Sequence, residues 1–288
     1  MKNNNIVILL ATYNGERFLK EQIESLYEQT YTQWDIYVHD DGSSDNTIQI
    51  LEEYEKEKDN FHILRYPSMG GSANNFFSLL KRVKAQYYFF ADQDDKWLQD
   101  KVESSLIEIK KMEQKHPGSP ILICSDVAVT DINLNIMHPS LWKESNTHPE
   151  FLNKYKSAPI PFVTGCTMLI NNYTKYEIEW DKINKATMHD AYITLCTLKH
   201  GGYISPINKP LLLYRQHGDN TLGAFSKEKS KFTYKFFHLK EIIRNNIGIL
   251  KMIHAIKYCT FFEFISYKRQ YKKLCKHTDC KKNINIRI

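Results

Sequence analysis

Apolar residues follow two rhythms along the first two-thirds of the chain. Continuous apolar stretches, NIVILLA (5–11), WDIYVHD (34–40), FHILRY (61–66) and YYFFAD (87–92), read as strands buried on both faces of a sheet. Between them ERFLKEQIESLYEQT, TIQILEEYEKEK and NNFFSLLKRVK carry apolar residues at helical spacing, as at Phe18, Leu19, Ile23, Leu26 and Tyr27. This alternation predicts βαβ units and an α/β fold, with a mostly parallel central sheet flanked by helices. Further on, QDKVESSLIEIKKMEQKH reads as a helix stopped at Pro117 and Gly118, and HDAYITLCTLKHGG as a helix with a glycine stop. ILICSDVAV (121–129), FVTGCTMLIN (162–171) and KPLLLYRQHG (209–218) read as strands. Residues 132–160, with Pro139, Pro149 and Pro159, are predicted to be irregular, a binding loop or lid. Residues 227–275 read as basic, aromatic helices.

Composition narrows the class. The chain has 288 residues, 42% hydrophobic and 25% charged, enough to bury a core and unlike a disordered chain. Its six cysteines form no CxxC or zinc spacing and read as reduced, in keeping with a cytoplasmic protein; a Cys275–Cys280 pairing is the minor alternative. The apolar run at the N-terminus is too short to span a bilayer and lacks a cleavage site, and no other stretch reaches about 18 apolar residues. Charge divides the chain in two. Residues 226–288 hold 16 Lys+Arg against 4 Asp+Glu, a net +12, whereas the whole chain is +6, leaving −6 for residues 1–225. A body of 1–225 and a helical C-terminal extension of 226–288 follow.

In an open parallel sheet, ligands bind at the carboxyl ends of the strands. There the chain places Thr12, Tyr13, Asn14 and Gly15, then Asp40, Asp41 and Gly42, then Gly70-Gly71, then Asp92, Asp94 and Asp95, and finally His217. If the segment after the fourth strand stays extended, Asp92 and Asp94 point the same way and can share a hard cation, Mg2+ or Mn2+. The competing reading is a solvated acidic loop in which Asp95 or Asp100 caps the next helix. In HDDGSSDNT, Ser44 or Asp45 serves as the cap of the helix at Thr47, which leaves Asp40 and Asp41 surplus. A carboxylate there can accept from N3–H of uracil or thymine. The chain lacks GxxxxGKS, which excludes a P-loop NTPase, lacks a GxGxxG after the first strand, which takes the main support from a nicotinamide reading, and does not match the calcium-loop pattern.

Taken in order, ATYNGERFLKEQIESLYEQTY, DDGSSDNT, DQDDKW, GCTMLIN, HD and YRQHGDN resemble family-2 glycosyltransferases of the GT-A fold, over roughly residues 5–222. The nearest likeness is to bacterial rhamnosyltransferase-type members that build surface polysaccharide such as capsule or O-antigen. The resemblance implies inverting sugar transfer from a nucleotide-diphosphate donor, with Thr12, Tyr13, Asn14, Glu16 and Asp41 in the nucleoside pocket and Asp40 beside it. It also implies Asp92 near ribose and metal with Gln93 beside it, Asp94 as main metal ligand, His217 as a late metal or phosphate contact, and Asp190 as catalytic base. Gly165, Cys166 and His189 then border the acceptor. Three features depart from the family pattern: His189 in place of the usual Glu, Met69-Gly70-Gly71 in place of Asn-x-Gly, and Ala191-Tyr192 where a Trp is common.

The implied donor is dTDP-L-rhamnose. The alternatives are a UDP-hexose donor (galactose, glucose or N-acetylhexosamine) and a catalytically silent nucleotide-sugar binder; a nucleotidyltransferase lacks its phosphate loop. The expected acceptor is a lipid-linked saccharide. Asp190 has a second reading as a helix cap, and Arg215 is either a phosphate contact or half of a buried ion pair. Trp97 and Trp142 either pack or stack on a sugar. The basic tail either packs on the acidic body or lies on anionic lipid at the inner face of the plasma membrane. The second is favoured over a nucleic-acid partner, and a homodimer contact through the tail is left open.

Overall fold

The computed structural model describes residues 5–145, 147–149, 163–217 and 239–277. One sheet contains β1 (Ile6–Thr12), β2 (Asp35–Asp40), β3 (Phe61–Ile63), β4 (Tyr87–Ala91), β5 (Lys96–Trp97), β6 (Ile121–Thr130), β7 (Ile136–His138), β8 (Leu169–Asn171) and β9 (Tyr203–Arg215). Their order is β3-β2-β1-β4-β8-β6-β9-β5, with β7 on β6. The pairs from β3 through β4 are parallel, as expected. Beyond β4 the sheet is mixed: β8 runs antiparallel to both β4 and β6, while β6 and β9 are parallel.

Strict alternation explains why β1 is apolar throughout. Val7, Leu9 and Ala11 enter one core, and Ile6, Ile8 and Leu10 the other. β4 divides the same way, with Tyr88 and Phe90 on one face and Tyr87, Phe89 and Ala91 on the other. Each fully buried Phe contributes about 1.5–3 kcal/mol. Helices α1 (Leu19–Tyr27), α2 (Thr47–Glu57) and α4 (Lys101–Lys115) cover the second face through Leu19, Ile23, Leu26, Leu51, Val102 and Ile109. The first face is covered by α3 (Ser72–Arg82) and α7 (His189–Lys199), through Phe76, Phe77, Tyr192 and Ile193. Short helices α5 (Leu141–Glu144) and α6 (Asn172–Tyr176) lie between. The helices Leu239–Ala255 and Phe261–His277 join the first core through Met252, Ile253, Ile256, Phe264 and Tyr271.

Three sequence expectations shift. β9 starts at Tyr203, ahead of the predicted 209, because register shifts in β6 around Asp126 accommodate Pro206 and Pro210 in the ladder. The stretch predicted as one strand over 162–171 is a 3-10 turn, Gly165–Thr167, before β8. Within the predicted irregular loop, β7 pairs with β6 and Ser140 caps α5 by accepting the Lys143 amide at 3.1 Å. The rest of that loop and the Cys275–Cys280 pairing lie outside the described residues and side chains. Among the described residues no helix is long and apolar enough to cross a membrane.

Candidate active site

β1 and β2 end in register, Thr12 opposite Asp40, so the loops that follow them meet. Thr12 Oγ1 and Ser43 Oγ donate to Asp40 Oδ1 at 2.9 and 2.5 Å, and the Gly42 and Ser43 amides donate to Oδ2 at 3.0 and 2.7 Å. Asp41 Oδ1 accepts from Ser68 Oγ at 2.8 Å and from the Met69 and Gly70 amides, and Oδ2 from the Gly71 amide at 2.6 Å. The expectation that these two carboxylates are surplus is therefore corrected. A carboxylate has about four lone-pair sites, and both groups spend theirs on their own chain. A pyrimidine N3–H can reach Asp41 only by displacing a donor of the 68–71 loop. Burial alone would raise Asp41, but the donors from Gly71, Ser68, Met69 and Gly70 outweigh it and hold the carboxyl below its ordinary value.

The neighbouring residues knit the same corner. The residue that caps α2 is Asn46, in place of the expected Ser44 or Asp45, and Asp45 Oδ1 accepts the Thr47 amide at 3.0 Å from one position ahead of it. Asn14, in the left-handed region at φ 47°, accepts the Ser44 amide at 2.8 Å and donates its own amide to Ser43 Oγ at 2.7 Å. Glu16 Oε2 accepts from the amide and side chain of Asn46 at 2.9 and 2.8 Å. The Gln93 side chain grips the amide and carbonyl of Tyr13 at 2.8 and 2.9 Å. Gly15 lets Gln93 approach, since a Cβ there would sit 2.3 Å from Gln93 Oε1 and the Gln93 side chain would have to move. Thr12 is buried, whereas the Tyr13 residue is 57% exposed at this corner.

The segment after β4 turns at Gln93 and Asp94 instead of staying extended, so the alternation argument for Asp92 and Asp94 does not apply. The turn brings Asp92 and Asp95 to Cys166, their ligand atoms all within 4.8 Å of one another. Asp94 Oδ2 lies 2.7 Å from His217 Nε2. That meeting follows from β5–β9 pairing, Lys96 opposite Leu213, which carries the end of β9 to the turn. Arg215, 2% exposed, clamps it by donating to the carbonyls of Asp94 and Ile132 at 2.8 and 2.6 Å and pairing with Glu21 at 2.5 Å. The ion-pair reading of Arg215 is the one observed.

Negative charge accumulates here without matching donors. Burial, then Asp94 and Asp190, push Asp92 up to about 7 against the pull of Cys166 and Lys101. Asp95 is driven well above its ordinary value by burial, then by Asp94 and Asp92. It is fully buried; Oδ1 accepts the Arg215 amide at 3.3 Å and Oδ2 has no partner among the described residues, so it is no helix cap. Crowded oxygen ligands with unspent charge and an imidazole at the edge fit a divalent cation such as Mg2+ or Mn2+. Asp92, Asp95 and Cys166 form one group of possible ligands, and Asp94 with His217 a second pair at the same turn. Beneath them Lys101, also fully buried, donates to the Cys166 carbonyl at 2.8 Å and sits 4.4 Å over the Trp97 ring. Burial lowers Lys101 to about 8 against Cys166, Asp95 and Asp92. Lys101 escaped the sequence reading, although it shares the buried face of α4 with Ser105 and Ile109.

Asp190 occupies the first turn of α7, where Met188 is the cap residue. Its Oδ1 accepts the Ala191 amide at 2.6 Å and Oδ2 the Gly165 amide at 3.1 Å. Burial pushes it up to about 6 despite those amides. His189 is 2% exposed, with its ring centroid 4.2 Å from that of Phe76 and 5.5 Å from that of Phe90. Burial lowers it to about 3, so it is neutral, and neither ring nitrogen has a partner among the described residues. A Cβ on Gly165 would lie 2.5 Å from His189 Nε2. Gly165, Cys166 and His189, expected to border the acceptor, are all buried. Trp97 and Trp142 are buried as well, leaving packing as their role.

The family model for glycosyl transferase family 2 matches residues 7–173, which span the corner after β1 and β2, the acidic turn and β8. A dTDP-rhamnosyl transferase, RfbG of Shigella flexneri, is 30% identical over 248 residues, covering 77% of this chain and 76% of that protein. Among solved structures, S. aureus TarS 1-349 in complex with UDP-GlcNAc superposes with a TM-score of 0.54 at 17% identity, covering 93% of this chain and 73% of that one. The mannosyltransferase PcManGT from Pyrobaculum calidifontis, in complex with GDP-Man and Mn2+, does so at 0.54 and 13%, covering 96% and 82%. With the family model matched over more than half its length and RfbG 30% identical over 77% of it, this chain belongs to glycosyl transferase family 2.

Proposed function

We propose that the chain is an inverting, metal-dependent glycosyltransferase that moves L-rhamnose from dTDP-L-rhamnose onto a saccharide acceptor in bacterial surface-polysaccharide synthesis. The name of the Shigella relative supports the donor. The observation that carries the mechanism is Asp190: a carboxylate fixed by two backbone amides, raised to about 6 and electrostatically coupled to Asp92. At neutral pH such a group is ionised yet more basic than an ordinary carboxylate, which suits a general base. Asp190 takes the proton of the acceptor hydroxyl as that oxygen bonds to the anomeric carbon, and the nucleoside diphosphate leaves from the opposite face. A Mn2+ or Mg2+ ion held by Asp92, Asp94 and His217 would supply charge neutralisation for the leaving diphosphate. Tyr13 offers its exposed ring to the nucleobase at the corner built by Thr12, Asn14, Glu16, Asp40 and Asp41. In this reading residues 226–288 form an extension that holds the enzyme at the inner membrane surface beside a lipid-linked acceptor.

Slow donor hydrolysis needs no acceptor and tests the proposal. Purified protein with Mn2+ is incubated with dTDP-L-rhamnose, UDP-glucose, UDP-galactose and UDP-N-acetylglucosamine, with and without chelator. Fastest release of dTDP, abolished by chelator, is expected. Fastest cleavage of a UDP-hexose replaces the donor, and nucleotide binding without turnover of any donor or acceptor points to a silent binder.

A further inference from the structure

The helices Leu239–Ala255 and Phe261–His277 form a hairpin whose inner face is spent on the body. Met252, Ile253, Ile256, Phe264 and Tyr271 are buried in the first core, and the Tyr271 hydroxyl accepts the His148 amide at 3.3 Å. Gly248 lies so close to Thr187 that a Cβ would come within 2.4 Å of its methyl, fixing the hairpin beside the segment that leads into Asp190. The outer face differs. Phe261 and Phe262, at the start of the second helix, are 56% and 83% exposed, with ring centroids 5.8 Å apart. A reciprocal cap holds the turn beneath them: the Thr260 amide donates to Glu263 Oε2 at 2.7 Å, and the Glu263 amide donates to Thr260 Oγ1 at 3.2 Å. The exposed rings therefore stand on ordered backbone.

Phe262, Ser266, Arg269 and Lys273 follow at i, i+4, i+7 and i+11, all exposed, and Ile247, Lys251 and His254 give the first helix the same kind of stripe. Lys257 is exposed in the connection between the helices. An aromatic pair at a hairpin tip, flanked by cations in a segment of net +12 on a body of net −6, matches an anionic bilayer surface. Cations meet the headgroups there and rings enter the acyl boundary.

We infer that the hairpin tip, Phe261 and Phe262 with Lys257 and Arg269, is the element that docks this protein on anionic lipid. The inference rests on the membrane reading above and names the residues responsible. The test uses the full chain in flotation with phosphatidylglycerol-containing vesicles and with pure phosphatidylcholine vesicles. Wild type is expected to float with the anionic vesicles, less so at high salt. The double variant Phe261→Ser/Phe262→Ser is expected to lose about tenfold or more in partitioning, and Lys257→Glu/Arg269→Glu a comparable share, both with donor hydrolysis unchanged. Equal flotation of wild type and the Phe variant overturns the tip as the docking element. Failure of wild type itself to bind anionic vesicles overturns the membrane reading as well. A change in oligomeric state by light scattering in the Phe variant, with lipid binding unchanged, assigns the tip to self-association and also overturns the inference.

Discussion

Two acidic loops close the strands on either side of β1, and they are opposite in kind. Asp40 and Asp41, after β2, are wrapped by hydroxyls and amides of their own chain, and Asp41 is held below its ordinary pKa. Asp92 and Asp95, after β4, crowd one another and a thiol with few donors, and both are raised. One loop has already used its charge to build a turn. The other holds charge that folding has not satisfied, which is why the proposed cation is assigned to it. Letters alone do not separate the two; the count of donors does.

The comparison breaks most readily at Asp94. Asp94→Ala is expected to weaken Mn2+-dependent nucleotide binding by at least about 100-fold, with the melting temperature held, as calorimetry and thermal unfolding would record. Retained Mn2+-dependent binding would move the cation elsewhere. The mirror experiment is Asp41→Ala, which leaves the Gly70 and Gly71 amides without their acceptor and is expected to cost about 1–3 kcal/mol of stability in denaturant titration. If Asp41→Ala keeps full stability and loses only nucleotide affinity, the contrast between the loops fails.

A smaller effect concerns pH and has opposite sign in the two loops. Asp41 is lowered in the folded state, so its contribution is present above its unfolded value near 3.8 and is lost as pH falls through the folded value. Asp92 is raised from 3.8 to about 7, so in metal-free protein it erodes stability as pH climbs across that window. Metal-free Asp92→Asn should flatten the decline between pH 4 and 7 relative to wild type, and saturating Mn2+ should flatten it in wild type. An unchanged slope in both conditions counts against a strained carboxylate cluster.

Much of this was legible in the chain. The two-faced apolar runs announced β1, β2 and β4, and the polar residues read at the carboxyl ends of β1 and β2 meet across those strand ends. What the sequence hid was contact across distance. Nothing in DDGSSDNT says that Asp41 is taken by amides some thirty residues on, since backbone donors carry no letter. The turn at Gln93 depends on Arg215 and the β5–β9 pairing, so local alternation misjudged which carboxylates meet. Pro206 and Pro210 concealed the first half of β9 because their tolerance rests on the irregular register of β6. Burial of Cys166 and His189 follows from Phe76, Phe90 and Lys101, none of them near in sequence.

The most direct test of the account is Asp190→Asn, which preserves shape and removes the proposed base. Donor turnover onto acceptor, nucleotide affinity and melting temperature are measured side by side with wild type. Turnover is expected to fall by about 10²–10⁴ while affinity and melting temperature stay at wild-type values. A variant that keeps most of its turnover, or loses it only in step with its fold, contradicts the assignment of Asp190 as the group that takes the proton.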